Sequence, residues 1–143
     1  GLMLSTAESC TGGLISSVLT SVAGSSVVVE RCFITYSNEA KHSMLGVPKV
    51  LIEETGAVSE EVARAMAEGV IRNAPVQLGL SVTGIAGPGG GSVQKPLGSV
   101  HIAVACDGRD TIHRYYEFEG DRNIVRAQAV DAALVLLLEL LEN

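Results

Sequence analysis

Residues 8–13, Glu-Ser-Cys-Thr-Gly-Gly, place a carboxylate, two hydroxyls and a thiol directly before two glycines. The apolar residues on either side predict a strand that turns into a helix. Ser9 at such a corner would expose its Oγ beside backbone N–H groups that can bind an anion or an oxyanion. The stretch is equally typical of a helix start capped by Ser9 or Thr11. Cys10 is a second candidate nucleophile, although a cysteine beside a helix is more often a small buried apolar residue.

A serine nucleophile needs a base, and a lysine lies where the second predicted strand turns into a helix. Tyr36, Asn38 and Lys41 cluster at this junction. To act as a base Lys41 must be neutral, so its pKa must fall from about 10.4 toward 7 or 8 through burial or nearby cations. The alternative is an ordinary solvated lysine on the surface of a helix.

Three histidines and one Ser-x-x-Lys pattern are the other candidate bases. His42 is a minor candidate, whereas His101 and His113 alternate along a predicted hairpin, which favours a structural role. The Ser-Val-Gln-Lys stretch at 92–95 lies in a predicted loop instead of at a helix start, so the lysine is not one helical turn from the serine. Lys95 is instead predicted to contact an anion at the rim of a pocket.

Two further regions carry groups that suit a ligand. Residues 81–91 run from a strand into a glycine-rich loop, whose backbone N–H groups can approach a ligand closely, unless the loop is simply mobile. Thr83 and Gly84 lie at the end of that strand. Arg122 and Arg126 are one turn apart on the final helix and can grip a phosphate or carboxylate, the alternative being two solvated surface arginines.

The spacing of apolar residues predicts an α/β fold of the three-layer α/β/α type, with a mixed, mostly parallel sheet of about five strands. The whole chain, 1–143, is predicted to be one domain. The predicted strands are 2–7, 27–37, 77–84, 99–106 and 111–118, and the predicted helices are 11–22, 38–46, 58–74 and 121–142. Ligands of such sheets bind at the carboxyl ends of the strands, where the polar residues collect.

Composition excludes several classes of function. The net charge of −6 leaves no basic stripe to neutralise nucleic-acid phosphates. The longest apolar run, 132–138, falls far short of the ~20 residues of a membrane helix. Three cysteines without paired spacing favour a reduced, cytoplasmic protein. No spacing typical of a metal site is present, so no metal is predicted.

Five stretches taken in order carry a resemblance to a known family. The chain resembles the C-terminal domain of the CinA (competence and damage inducible) family over nearly its whole length, in TAESCTGGL, YSNEAK, GAVSEEVA, VTGIAGPGGGS with KPLGSVHIAVA, and FEGDR. Members of this family usually carry a helix before the first strand, and two-domain members have a separate N-terminal domain. Neither is expected within these 143 residues.

The resemblance implies a deamidase that converts nicotinamide mononucleotide and water to nicotinic acid mononucleotide and ammonia, in pyridine-nucleotide salvage. It assigns the nucleophile to Ser9 and the base to Lys41, with Tyr36 assisting. It gives Thr83 a positioning role and lets Arg122 meet the substrate. The domain is expected to need no cofactor and to form a homodimer.

The expected substrate contacts combine the resemblance with the local chemistry. Backbone N–H groups of the turn after Ser9 would hold an oxyanion, and Arg122, Lys95 or the N–H groups of the glycine-rich loop would hold the phosphate. The predicted contacts are Cys10, Thr11, Gly12, Gly13, Asn38, Gly84, Lys95, Arg122 and Arg126. The alternatives are a nucleotide-binding or regulatory module without turnover, and a cysteine amidase that uses Cys10.

Overall fold

The computed structural model describes residues 1–143 and contains five strands and five α-helices. The strands are β1 (Leu4–Glu8), β2 (Val29–Ile34), β3 (Leu78–Gly84), β4 (Ser99–Cys106) and β5 (Ile112–Glu117). The helices are α1 (Leu14–Thr20), α2 (Asn38–Leu45), α3 (Lys49–Thr55), α4 (Glu60–Asn73) and α5 (Arg122–Glu142), and a short 3₁₀ helix spans Ser25–Val27.

The strands form one sheet in the order β2-β1-β3-β4-β5. β1 pairs in parallel with β2 and β3, whereas β4 is antiparallel to both β3 and β5. Only β4 therefore runs against the other four strands, which confirms the predicted mixed, mostly parallel sheet. Glu8 at the end of β1 lies opposite Ile34 of β2 and Val82 of β3, so the residues that follow these strands meet at one edge.

Helices cover both faces of the sheet, as predicted. On one face, α1 and α5 bury apolar side chains such as Ile15 and Leu136 against Leu80 of the central strand. On the other face, α2, α3 and α4 form a second core around Leu45 and Met66. The sheet is therefore the middle layer of an α/β/α architecture, and its helix layers leave the carboxyl edge of β1, β2 and β3 free to carry a site.

α4 lies unusually close to β3. Ser81 donates a hydrogen bond of 2.6 Å from its Oγ to the carbonyl oxygen of Ala63 on that helix. A Cβ atom at Gly79 would lie only 2.3 Å from the carbonyl oxygen of Ala67, so no side chain fits between the strand and the helix. This close approach fixes the position of β3, whose last residues line the site.

Two of the predicted helices, 38–46 and 58–74, have well-defined ends in the structure. Ser59 caps α4, because its Oγ accepts a hydrogen bond of 3.2 Å from the backbone N–H of Val62. Gly46 ends α2 with a φ of 72°, in the left-handed region where a side chain is unfavourable.

Other boundaries differ from the prediction. α3 was not among the predicted helices, and it begins directly after Pro48, since proline is tolerated at a helix start. α1 begins at Leu14 instead of residue 11, since Gly12 and Gly13 have φ values of 55° and 106° and turn the chain before the helix. β1 spans Leu4–Glu8 instead of 2–7, which carries Glu8 into the sheet.

α5 is the longest helix, with 21 residues. Its first turn is capped by Asp121, whose carboxylate accepts a hydrogen bond of 2.9 Å from the backbone N–H of Ile124. None of the helices combines the length and the apolar character that a membrane span requires.

We expect Gly79→Ala to lower the free energy of unfolding by about 1–3 kcal/mol, because the added methyl group forces α4 away from β3. Urea denaturation measures the effect. Gly89→Ala is the matched control, since no atom lies within 4 Å of a Cβ at that position. Equal midpoints for the two variants would show that the strand–helix contact is not tight.

Candidate active site

The edge where β1, β2 and β3 end forms a pocket of about 180 Å³. Ser9 directly follows β1, Lys41 is the fourth residue of α2, and Thr83 is the penultimate residue of β3. The pocket is lined by Ser9, Cys10, Tyr36, Asn38, Lys41, Ala57, Val58, Thr83, Gly84, Ala86 and Arg122. Three separate strand ends thus deliver polar groups to one concave surface.

The carboxylate of Glu8 organises the turn that carries Ser9. One of its oxygens accepts hydrogen bonds from the Thr11 hydroxyl at 2.8 Å and from the backbone N–H groups of Gly13 at 3.3 Å and Ile15 at 2.8 Å. The other accepts from the backbone N–H and the hydroxyl of Ser16, at 3.1 and 2.5 Å. Glu8 has no exposed surface and forms no ion pair, so these donors alone compensate its charge.

This network corrects the expectation that Ser9 or Thr11 caps α1. The residue at the N-cap position is Gly13, and the side chain that satisfies the first N–H groups is Glu8 from the preceding strand. The Thr11 hydroxyl acts as a donor to that carboxylate instead of as a cap. As a result the Oγ of Ser9 takes no part in capping.

Ser9 and Lys41 are in direct contact. The Nζ of Lys41 lies 3.0 Å from the Oγ of Ser9, 2.9 Å from the carbonyl oxygen of Thr35 and 3.1 Å from that of Tyr36. Lys41 is only 1 % exposed, and no carboxylate lies within ion-pair distance of its Nζ. A neutral amine can donate its two protons to the carbonyl groups and direct its lone pair at the Ser9 hydroxyl.

The environment of Lys41 favours the neutral form. Burial lowers the pKa of the Lys41 ammonium from its ordinary value of 10.5 to about 8, because the charged form loses its hydration without gaining a carboxylate partner. At pH 7 roughly a tenth of the Lys41 side chains are therefore unprotonated amines, whereas at the ordinary pKa the neutral form is negligible. The pKa condition that a lysine base requires is met by position alone.

Cys10 lies beside Ser9, and its surroundings disfavour the reactive, deprotonated form of its thiol. The residue is 6 % exposed, and burial raises the pKa of its thiol to about 11. The thiolate is the nucleophilic form of cysteine, so this side chain is inert near neutral pH. The contrast with Lys41 favours the hydroxyl of Ser9 over the thiol as the attacking group.

Thr83 and Gly84, at the end of β3, line the pocket. The hydroxyl of Thr83 donates a hydrogen bond of 2.9 Å to the carbonyl oxygen of Ala57, which joins β3 to the segment before α4. A Cβ atom at Gly84 would lie 2.8 Å from the carbonyl oxygen of Ser99 and 3.2 Å from the Sγ of Cys10. Glycine at 84 therefore allows Cys10 to pack against the end of β3.

The two arginines at the start of α5 occupy different places. Arg122 lines the pocket and donates hydrogen bonds to the carbonyl oxygen of Gly87 at 2.7 Å and to the Tyr36 hydroxyl at 3.1 Å. Arg126 lies behind the Ser9 turn and donates to the carbonyl oxygens of Cys10 at 3.0 Å and Thr11 at 3.3 Å. The choice between the two arginines as a pocket residue is thus decided by position in favour of Arg122.

The backbone of the turn after Ser9 keeps two free donors. The N–H of Gly12 donates to the carbonyl oxygen of Ser9 at 3.0 Å, and that of Gly13 is bound by Glu8. The N–H groups of Cys10 and Thr11 have no hydrogen-bond partner within the protein. Cys10 lines the pocket, so its N–H is available to an anion next to Ser9, and the buried Thr11 N–H lies one residue further along the turn.

The family model described as "CinA C-terminal domain" matches residues 1–141 of the chain. The chain belongs to this family. Its five-stranded sheet and its helices are those of the CinA superfamily fold.

Relatives of this CinA domain fall into two kinds. It is 57% identical over 137 residues to a CinA-like protein of Syntrophus aciditrophicus, a match that covers 95% of this chain but 32% of the relative. It is 46% identical over 144 residues to the nicotinamide-nucleotide amidohydrolase PncC of Enterobacter agglomerans, covering 100% of this chain and 88% of the relative. The chain thus spans about a third of the length of the CinA-like relative and nearly all of the amidohydrolase.

Solved structures agree with the fold of this CinA domain. A competence/damage inducible protein from Agrobacterium tumefaciens superposes with a TM-score of 0.96 at 47% identity, over 98% of this chain and 86% of that chain. A CinA superfamily protein from Escherichia coli superposes with a TM-score of 0.93 at 38% identity, over 97% and 80% of the two chains.

Most of the residues predicted for the site of this CinA domain line the pocket. These are Ser9, Cys10, Tyr36, Asn38, Lys41, Thr83, Gly84 and Arg122. Tyr36 is 62% exposed; its carbonyl group contacts Lys41 while its hydroxyl contacts Arg122. The predicted contacts that do not line the pocket are Thr11, Gly12, Gly13, Lys95 and Arg126.

Lys95 was expected at the rim of this pocket, and the structure places it elsewhere. Its Nζ donates a hydrogen bond of 2.6 Å to the carbonyl oxygen of Thr55, and it lines a neighbouring pocket of about 570 Å³ that adjoins the first at Val58. His42, the minor candidate base, contacts the carbonyl oxygen of Val47 through its Nδ1 at 2.9 Å and does not line the Ser9 pocket.

His101 lies on β4 and His113 on β5, and neither lines the Ser9 pocket. They face one another across β4 and β5, with ring nitrogens 2.9 Å apart. No group of histidine, cysteine, aspartate and glutamate side chains is arranged to hold a metal ion.

The role of Glu8 and the carbonyl groups of Thr35 and Tyr36 that hold Lys41 were not predicted from the sequence. Carbonyl ligands carry no signal in the residue type, so only the geometry reveals them. For Glu8 a signal was present: a carboxylate at the end of a strand of otherwise uncharged residues, followed by Thr11 and a helix start, has to find donors when it is buried.

We expect Glu8→Gln to lower the free energy of unfolding by about 1–3 kcal/mol, because the amide NH₂ places a donor where N–H and O–H donors already converge. Thermal and urea denaturation measure the change. Glu39→Gln is the control, since its exposed pair with Lys49 at 3.3 Å contributes about 0–1 kcal/mol. A Glu8→Gln variant as stable as the control would contradict the capping role.

Proposed function

We propose that this domain is a serine–lysine amidohydrolase that converts nicotinamide mononucleotide to nicotinic acid mononucleotide and ammonia in pyridine-nucleotide salvage. The observation that carries the proposal is the 3.0 Å contact between the Oγ of Ser9 and the Nζ of a buried lysine that has no carboxylate partner. Family membership and the 46% identity to a nicotinamide-nucleotide amidohydrolase supply the substrate class.

In the first half-reaction, neutral Lys41 accepts the proton of the Ser9 hydroxyl as Oγ attacks the carboxamide carbon. A bond forms between Oγ and that carbon, and the carbonyl oxygen becomes an oxyanion. Lys41 then gives its proton to the amide nitrogen, the C–N bond breaks, and ammonia leaves. The product of this half-reaction is an ester between the substrate acyl group and Ser9.

In the second half-reaction, Lys41 is again neutral and takes a proton from water. The resulting hydroxide attacks the ester carbon, the bond to Oγ breaks, and Lys41 returns the proton to Ser9. Carboxamide and water are thereby converted to carboxylic acid and ammonia, with no change in oxidation state. Lys41 thus gives a proton to ammonia in the first half-reaction and to the Ser9 oxygen in the second. A buried lysine with a pKa of about 8 suits this role.

The oxyanion needs donors that are already oriented. The N–H groups of Cys10 and Thr11 are free of partners and follow Ser9 directly in the chain. Because the corner excludes bulk water around Lys41, such donors stabilise developing charge more strongly than they would in solution.

The small volume of the pocket suits only a part of the proposed substrate. At about 180 Å³ it is smaller than the 300–1,000 Å³ typical of whole-ligand sites, so it suits the carboxamide and ring while ribose and phosphate lie outside. Arg122 lines the pocket and can bind such a phosphate. The pyridinium charge of the bound ring favours neutral Lys41.

We expect the purified domain to release ammonia from nicotinamide mononucleotide and Ser9→Ala to reduce the rate by about 10⁴- to 10⁶-fold, because no acyl-enzyme forms. Coupled detection of ammonia measures the rate. Cys10→Ala is the matched variant and should retain turnover, since the thiol is protonated and inert. Binding of the nucleotide without ammonia release would favour the non-catalytic module, and loss of activity only in Cys10→Ala would favour a cysteine amidase.

The pH dependence of kcat/KM tests the base. A base acts when deprotonated, so kcat/KM should rise with pH and level off above about 8, the pKa to which burial lowers Lys41. Lys41→Met should reduce the rate by about 10²- to 10⁴-fold and remove this limb. Lys49→Met, at an exposed lysine of the neighbouring helix, should keep the wild-type profile. A limb that persists in Lys41→Met would assign the ionisation to another group.

A further inference from the structure

Arg126 makes its hydrogen bonds entirely to the back of the Ser9 turn. Its Nε binds the carbonyl oxygen of Cys10 at 3.0 Å, and its Nη2 binds that of Thr11 at 3.3 Å. The side chain is half-buried, forms no ion pair, and does not line the pocket. The carbonyl oxygen of Cys10 has no other hydrogen-bond partner in the protein.

The geometry of the peptide bond connects the Cys10 carbonyl group to one of the two free N–H groups of the turn. The peptide between Cys10 and Thr11 is trans, since the only cis peptide in the chain precedes Pro88. In a trans peptide the C=O and N–H bonds point in opposite directions. A guanidinium that holds the Cys10 carbonyl therefore also fixes the direction of the Thr11 N–H, one of the two free donors beside Ser9.

We propose that Arg126 is a positioning residue that holds the turn after Ser9 from behind, without touching the substrate. It orients the Thr11 N–H directly and the Cys10 N–H through the shape of the turn. The inference rests on the proposed amidohydrolase function. A charged donor on a carbonyl oxygen withdraws electron density from the peptide and strengthens its N–H as a donor. The same contact prevents the peptide from rotating, which keeps the donors aimed before charge develops.

The charge of Arg126 reaches the site through the turn. Burial raises the pKa of the Cys10 thiol, but the positive charge of Arg126 lowers it, and this effect exceeds those of Lys41 and Arg122. A negative charge beside Ser9 is therefore favoured by a cation that stays outside the pocket. Arg122 differs, because it lines the pocket and can meet the substrate directly.

The test compares Arg126→Ala and Arg126→Lys with the wild type in hydrolysis of nicotinamide mononucleotide. We expect kcat to fall by about 10- to 100-fold in Arg126→Ala, less than for loss of an oxyanion donor itself, with KM unchanged. The rise of kcat/KM with pH should stay near the wild-type position, since Lys41 is untouched. Added ethylguanidinium should restore part of kcat in Arg126→Ala, and Arg126→Lys should lie between that variant and the wild type.

Arg109→Ala is the matched control. Arg109 also donates to a backbone carbonyl of α5, that of Leu140 at 3.2 Å, but it lies away from the Ser9 pocket. We expect this variant to keep the wild-type kcat and to show no response to ethylguanidinium. Denaturation curves for all variants give the folded fraction, and rates are expressed per folded molecule. If Arg126→Ala does not fold, Arg126→Lys carries the comparison.

Three outcomes would overturn the inference. A rise in KM with unchanged kcat would make Arg126 a substrate contact. An unchanged kcat per folded molecule would make its role purely structural. Loss of kcat without rescue by ethylguanidinium would show that the effect does not come from the guanidinium group. If the wild type itself releases no ammonia, the proposed function fails and this inference falls with it, whereas the other outcomes leave the proposed function intact.

Discussion

A single buried carboxylate fixes the corner on which the site depends. The charge of Glu8 is balanced by five N–H and O–H donors instead of by a cation. Burial of an ion without such donors costs several kcal/mol, so the turn and the carboxylate are stable only together. Because Glu8 occupies the first N–H groups of α1, the anion-binding capacity of the corner is confined to the two N–H groups directly after Ser9.

Lys41 presents the opposite case, a cationic group placed where its charge is not compensated. Its three partners are a hydroxyl and two carbonyl oxygens, none of which is ionised near neutral pH. The desolvation that opposes the folded state also lowers the pKa of Lys41, so that more of its amine is unprotonated and free to accept a proton. Stability and reactivity are therefore in conflict at this residue, and the Glu8 network and the close contact of α4 with β3 keep the surrounding structure rigid.

The sequence predicts the site side chains at the strand ends better than it predicts the contacts that hold those side chains in place. Ser9, Lys41 and Thr83 could be placed together because parallel strands end at one edge and each strand has a clear apolar pattern. Lys95 could not, since the path of a glycine-rich loop depends on contacts such as the one with Thr55 that no spacing encodes.

Capping by Glu8 was missed for a similar reason. Its partners lie three to eight residues ahead, across a turn whose shape depends on two glycines with positive φ. The arginines show the same limit: helical spacing places Arg122 and Arg126 on one face, but only the packing of α5 sends one into the pocket and the other behind it.

The span of these arginine contacts has a consequence for how the chain folds. Arg122 meets Tyr36 across 86 residues, and Arg126 meets Cys10 across 116. Such distant contacts close large loops and form late. A chain emerging from the ribosome holds Ser9 and Lys41 before α5 has been made. The Ser9 corner therefore receives its two arginine contacts only when α5 docks.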